Sequence, residues 1–128
     1  LASIIEIEAF RNDKQEVANI LYRRLQEEYP LEVDATIQFA LGYQAREKRW
    51  WRREITLEDL KIDSPYNTYV NLGLPPAPIS NPGLQSIVAA IESDANTPYK
   101  FYLHDANGKI YYASTFAEHK QNIEKYLR

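Results

Sequence analysis

Apolar side chains recur at helical spacing in several separate stretches of this chain and cluster as aromatic β-type runs in one other. Residues 2 to 10, ASIIEIEAF, are apolar around most of a helix circumference, the mark of a buried helix. The polar link RNDKQ follows, with Asn12 or Asp13 placed to cap; then Val17, Ile20, Leu21 and Leu25 stripe a second helix that Pro30 closes. DATIQFALG predicts a third, short helix with Asp34 as its N-cap and Gly42 just past its end. Thr56 and Asp59 in TLEDLKI have the spacing of a capping box, which predicts another short helix. PGLQSIVAAIES places Pro82 near a first turn and Leu84, Ile87, Val88 and Ile91 at helical positions. YKFYLHDANGKIYYAS reads as two aromatic strands joined around Asn107-Gly108, and TFAEHKQNIEKYLR as a closing helix capped by Ser114 or Thr115. The expected fold is one α+β domain over residues 1–128, mostly helical, with a small antiparallel β-hairpin near the C-terminus.

Two stretches break this periodicity. YQAREKRWWRREIT, residues 43–56, predicts a surface loop or hairpin. DSPYNTYVNLGLPPAPISNPG carries five of the seven prolines and two of the four glycines, and irregular segments of that length are uncommon unless functional or disordered. Its aromatic and amide side chains argue for order.

Composition narrows the function classes more than the fold. Fifteen Lys and Arg against 18 Asp and Glu leave a net charge of -3, which argues against capture of a polyanion by the whole domain but permits a local basic patch. Without cysteine there is neither a disulfide nor a thiolate metal site, and redox chemistry says nothing about compartment. No apolar run reaches the ~18 residues that span a bilayer. The opening lies inside an apolar helical pattern with no capping residue before it, which points to sequence upstream. His104 and His119 are far apart, neither has a second ligand at metal spacing, and no Gly-rich phosphate loop or nucleophile motif is present, so neither a metal nor a cofactor is expected.

The candidate chemistry lies in three places. Glu6 and Glu8 stand in an otherwise apolar run, and at ~100° per residue they point to nearly opposite sides of a helix. Desolvation would raise their pKa toward the range useful to a general acid; pairing with Arg11, Arg23 or Arg24 would make them structural instead. Tyr66, Asn67, Thr68, Tyr69 and Asn81 combine flat faces with amides and hydroxyls, a mixture suited both to sugars and to ordinary turns. Arg46, Lys48, Arg49, Arg52 and Arg53 surround Trp50 and Trp51 in REKRWWRR. That run suits a solvated face, a polymer or anionic membrane surface, or stacked bases.

In order, LASIIEIEA, VANILYRRL, LEVDATIQFALG, DSPYNTY, GLPPAPISNPGLQSIVAAI and YASTFAEHKQNIEKYL resemble successive blocks of the YceG-like endolytic murein transglycosylases. The most specific is SPYNTY followed closely by GLPP and NPG. The resemblance implies a bacterial catalytic domain that cuts peptidoglycan glycan strands between N-acetylmuramic acid and N-acetylglucosamine. It also implies an N-terminal membrane anchor and a LysM-like region outside this chain, an extracytoplasmic position at the cytoplasmic membrane, and the cell-wall synthases (penicillin-binding proteins) as partners. No cofactor, metal or nucleic acid is implied.

The family's essential glutamate is taken as the first of its Glu-Lys-Glu block, which is Glu6 here, with Glu8 supporting. Asp34, Thr36, Tyr66, Asn67, Thr68, Tyr69 and Asn81 would line the groove. Ile7 and Ala35 depart from the usual Lys and Pro. One carboxyl suffices for this chemistry, as acid to the glycosidic oxygen and then as base to the muramic C6 hydroxyl, which fits two glutamates that cannot act as an adjacent pair. The rivals are a water-using glycoside hydrolase with Glu6 as acid and Asp34 as base, and an inactive peptidoglycan-binding module.

Overall fold

The computed structural model describes residues 1–10, 12–51 and 54–127. Arg11, Arg52 and Arg53, named above as candidate partners of a carboxylate or of a polyanion, lie outside the described residues.

Among the described residues are five α-helices and a two-stranded sheet: α1 (Ala2–Glu8), α2 (Lys14–Gln26), α3 (Asp34–Leu41), α4 (Leu84–Ile91), β1 (Phe101–His104), β2 (Ile110–Ala113) and α5 (Phe116–Tyr126). The architecture is the expected α+β domain. Helix α1 is its hub, packing against α2, α3 and α4, while α5 lies on the hairpin. Ile4 and Ile5 of α1, Val17, Ala18 and Leu21 of α2, Ala35 of α3 and Ala89 of α4 close the core with Leu31, Val33 and Ile79 from the connections. Burying such side chains stabilises by roughly 1.5–3 kcal/mol each.

Helix α1 stops two residues short of the predicted end, because Ala9 turns extended (φ -127°, ψ 142°). Ala9 enters the core cluster, and Phe10 is carried outward to meet His104 edge-on at 5.8 Å. Asp34 is not the N-cap of α3. Val33 holds that position, and no side chain caps the helix. Instead the Val33 amide donates to Thr68 Oγ1 (3.0 Å), and Thr36 Oγ1 donates to Val33 O (2.7 Å). Asp34 is thereby released to face outward. Thr56 and Asp59 do exchange reciprocal bonds (2.8 and 3.2 Å), but they hold only the 3-10 turn Asp59–Lys61.

The strands pair antiparallel, Phe101 with Ala113 and His104 with Ile110. Gly108 (φ 80°) takes the left-handed position in the connection that a residue with a Cβ rarely adopts. Of the two predicted caps of α5, Thr115 is used, in a capping box with Glu118. The proline-rich segment is ordered by its amides: Asn67 Nδ2 donates to Leu60 O and Ile62 O, both at 2.9 Å, and Asn71 Nδ2 to Ser64 O and Asn67 O.

Candidate active site

Helix α1 carries its two carboxylates to different surroundings, as the 100° step requires. Glu6 turns toward α2 and α4. Lys14 Nζ and Ser86 Oγ each donate to its Oε2 at 2.8 Å, and the Gly83 amide donates to Oε1 at 3.1 Å. Lys14 Nζ also donates to Ser86 Oγ, so ammonium, hydroxyl and carboxylate close a ring that ties α1, α2 and α4 together. These bonds favour the charged form, and the pKa of Glu6 falls to about 2. A carboxylate so held is ionised at any physiological pH.

Glu8 has the opposite environment. It lies in a cleft of about 450 Å³ whose walls include Arg24, Asp34, Tyr69, Tyr102, His104 and His119. That volume falls within the range of small-ligand sites. Burial raises its pKa, and the charge of Asp34 raises it further; the Tyr102 hydroxyl, which donates to Glu8 Oε2 at 2.8 Å, opposes the rise in part. Tyr102 itself stays protonated, because burial and the Glu8 charge push its pKa well up.

The rest of the cleft is fixed from behind. Arg24 is almost wholly buried and spends its guanidinium on Lys100 O (3.0 and 2.8 Å) and Leu31 O (2.5 Å). Its charge reaches Glu8 without an ion pair between them. The Tyr69 hydroxyl donates to Asp34 Oδ1 at 2.5 Å, which orients that carboxylate on the cleft wall. Burial lowers the pKa of both His104 and His119, so each imidazole is neutral at pH 7. His119 stacks on Phe101 at 5.1 Å. Although the cleft gathers several His, Asp and Glu, no group of three or more is placed to hold a metal ion among the described residues.

Of the predicted groove residues, then, Glu8, Asp34 and Tyr69 meet in one cleft. Thr36, Asn67 and Thr68 do not reach it, for they are 0–2% exposed and serve the backbone. The Thr36 and Thr68 hydroxyls bond each other at 2.9 Å, and Asn67 Oδ1 accepts from the Tyr69 amide. Tyr66 packs against Phe39, with ring centroids 4.8 Å apart. Asn81 is exposed on the Glu6 side, two residues before Gly83. Neither Arg23 nor Arg24 pairs with a carboxylate of α1; Arg23 pairs with Glu27.

The sequence does not single out Tyr102, and it brings in Arg24 only as a partner for the glutamates, and His104 and His119 only as unsupported metal ligands; all four line the cleft. The alternation of β1 was the available signal: Phe101 and Leu103 are buried, while Tyr102 and His104 share the other face.

The fold and site define a small α+β domain of helices and a hairpin whose cleft holds a carboxyl group of raised pKa. The model of the YceG-like family matches residues 1–125. The chain belongs to that family. It is 39% identical over 128 residues to an endolytic murein transglycosylase of Bacillus subtilis, covering 99% of this chain and 33% of that protein. To the endolytic murein transglycosylase of Streptococcus pneumoniae it is 31% identical, covering 99% of this chain and 23% of the relative. The crystal structure of a YceG-like protein from Listeria monocytogenes superposes with a TM-score of 0.83 at 40% identity, over 94% of this chain and 37% of that one. The chain thus spans between 23% and 37% of the length of these relatives.

Proposed function

We propose that this domain cleaves peptidoglycan glycan strands as an endolytic lytic transglycosylase, and that Glu8, rather than Glu6, is its acid and base. The observation that carries the assignment is the contrast between the two carboxylates. A general acid at neutral pH needs a raised pKa and an open path to substrate. Glu8 has both, whereas Glu6 is held ionised by Lys14, Ser86 and the Gly83 amide.

The Glu8 carboxyl gives its proton to the oxygen linking C1 of N-acetylmuramic acid to N-acetylglucosamine, and the C1–O bond breaks. The resulting carboxylate takes the proton of the muramic C6 hydroxyl as that oxygen bonds to C1. The products are a 1,6-anhydromuramic end and a free 4-hydroxyl, and Glu8 regains its proton. The Tyr102 hydroxyl at Oε2 and the backbone N–H of Ala35 both bond this carboxyl group and steady the transient carboxylate. The Asp34 carboxylate, held by Tyr69, supplies negative charge where C1 becomes positive. Peptidoglycan is the substrate by the same reading; cell-wall synthases are the partners and the outer side of the cytoplasmic membrane is the site of action.

Mass spectrometry of peptidoglycan treated with the parent, Glu6→Gln and Glu8→Gln chains tests this. Anhydromuramic ends should appear with the parent and with folded Glu6→Gln, and be lost with Glu8→Gln. Ends retained by Glu8→Gln but lost by a folded Glu6→Gln would overturn the assignment. Reducing ends in place of anhydro ends would indicate water as nucleophile, with Asp34 as its base.

A further inference from the structure

Both tryptophans of the chain, Trp50 and Trp51, lie outside the lining of the cleft. Gln44 and Arg49 form an antiparallel bridge (2.6 and 3.3 Å) that closes a short hairpin, with Lys48 (φ 52°) at the left-handed position of its turn. Trp50 is 67% exposed, and Tyr43, 51% exposed, meets it edge-on at 5.3 Å. Trp50 and Trp51 wall a recess of about 300 Å³ with Phe39, Gly42 and Ile79. Arg46 and Lys48 are exposed at the tip and form no ion pair among the described residues; Arg49 is paired with Glu47.

We propose that this hairpin docks the domain on an anionic lipid surface. Tyr43, Trp50 and Trp51 would enter the headgroup layer, where rings with one apolar and one polar side are favoured. Arg46 and Lys48 meet lipid phosphates, and the recess accepts hydrocarbon. Charge complementarity selects this occupant, since the same short hairpin carries exposed Arg46 and Lys48 beside its exposed rings. A nucleic acid fits less well, because the side chains lining the recess carry no donor or acceptor for bases apart from the indole N–H groups.

The recess and the Glu8 cleft share no lining residue. Helix α3 begins at Asp34 on the cleft and runs its eight residues, about 12 Å, toward the hairpin. Docking would therefore fix the height of the cleft above the surface. The inference is independent of the chemistry assigned to Glu8.

The two tryptophans make the chain its own probe. Its fluorescence should shift to the blue, and be quenched by brominated acyl chains, with vesicles of phosphatidylcholine and phosphatidylglycerol but not of phosphatidylcholine alone. Each basic side chain near such a surface contributes about 1 kcal/mol, roughly fivefold in partitioning, so Arg46→Glu with Lys48→Glu should weaken binding roughly 25-fold or more. Both positions are exposed, and circular dichroism should show the variant folded. Absence of a shift on anionic vesicles would overturn the proposal, as would undiminished binding by the folded double variant. A shift with soluble heparin or glycan strands and none with vesicles would assign the hairpin to a polymer instead.

Discussion

Replacing Tyr102 by Phe removes one oxygen and leaves the ring in its packing, so its effect should pass through Glu8. The hydroxyl donates to Glu8 Oε2 at 2.8 Å and lowers a pKa that burial and Asp34 raise. A hydrogen bond to a charged group is worth about 1.5–3 kcal/mol and a neutral one about 0.5–1.5, so the ionised carboxylate loses roughly 1 kcal/mol more than the protonated one. At 1.36 kcal/mol per decade, the pKa of Glu8 should rise by somewhat under about one pH unit. Because the acid must begin protonated, the alkaline limb of kcat/KM against pH moves upward by that amount, while loss of the positioned carboxylate lowers the plateau. The assay is release of anhydromuramic ends from purified glycan strands between pH 5 and 9. An alkaline limb that stays in place, or moves down, refutes the role given to Tyr102 and weakens that given to Glu8.

The two glutamates also predict opposite effects on stability. Glu6 has its pKa lowered to about 2, so it stabilises the fold above its ordinary value near 4.5 and loses that contribution as pH falls toward 2. Glu6→Gln should lower Tm at pH 7, by a margin that shrinks in acid. The pKa of Glu8 is raised, so its ionisation costs stability as pH rises from its ordinary value through its raised one. Glu8→Gln should raise Tm at pH 7 and change little below pH 4; equal signs for both variants at neutral pH would contradict the two environments. Asn67→Ala orphans Leu60 O and Ile62 O and the Tyr69 amide, and should cost about 2–4 kcal/mol in urea unfolding with an unchanged slope. A loss below ~1 kcal/mol would show that water replaces the side chain.

How much of this was legible in the sequence depended on the range of the interaction. Periodicity fixed the helices and the hairpin within a few residues, because a helix face and a turn are local properties. Capping was legible where both partners are local, as with Thr115 and Glu118, but not at Asp34, where the Thr68 hydroxyl takes over the start of α3 from 35 residues away. Tyr69 of DSPYNTY does reach the cleft, but Asn67, Thr68 and Thr36 turn inward to the backbone for the same reason. A sugar-binding amide and a loop-bracing amide look alike until burial separates them, and Asn67 and Thr36 are both fully buried.

The two carboxylates of α1 sharpen that point, because their helical phase was legible and their chemistry was not. Phase shows that Glu6 and Glu8 face apart; only the fold shows what each one faces. Lys14 is eight residues from Glu6 and Ser86 eighty, whereas Tyr102 is ninety-four from Glu8. A lysine and two further donors make one carboxylate a strut, and a phenol, an arginine with no ion pair among the described residues and a neighbouring aspartate surround the other as the proposed proton carrier. The strut is adjacent to the acid in function as well as in sequence. By tying α1 to α2 and α4 it fixes the helix that presents Glu8 to the cleft, so loosening it should misplace the acid even where the carboxyl itself is intact. In a folded Glu6→Gln chain the plateau of kcat/KM should therefore fall while its alkaline limb stays in place, since Glu8 keeps its own partners. A displaced limb would mean that the two carboxylates are coupled electrostatically, against the opposed geometry of α1.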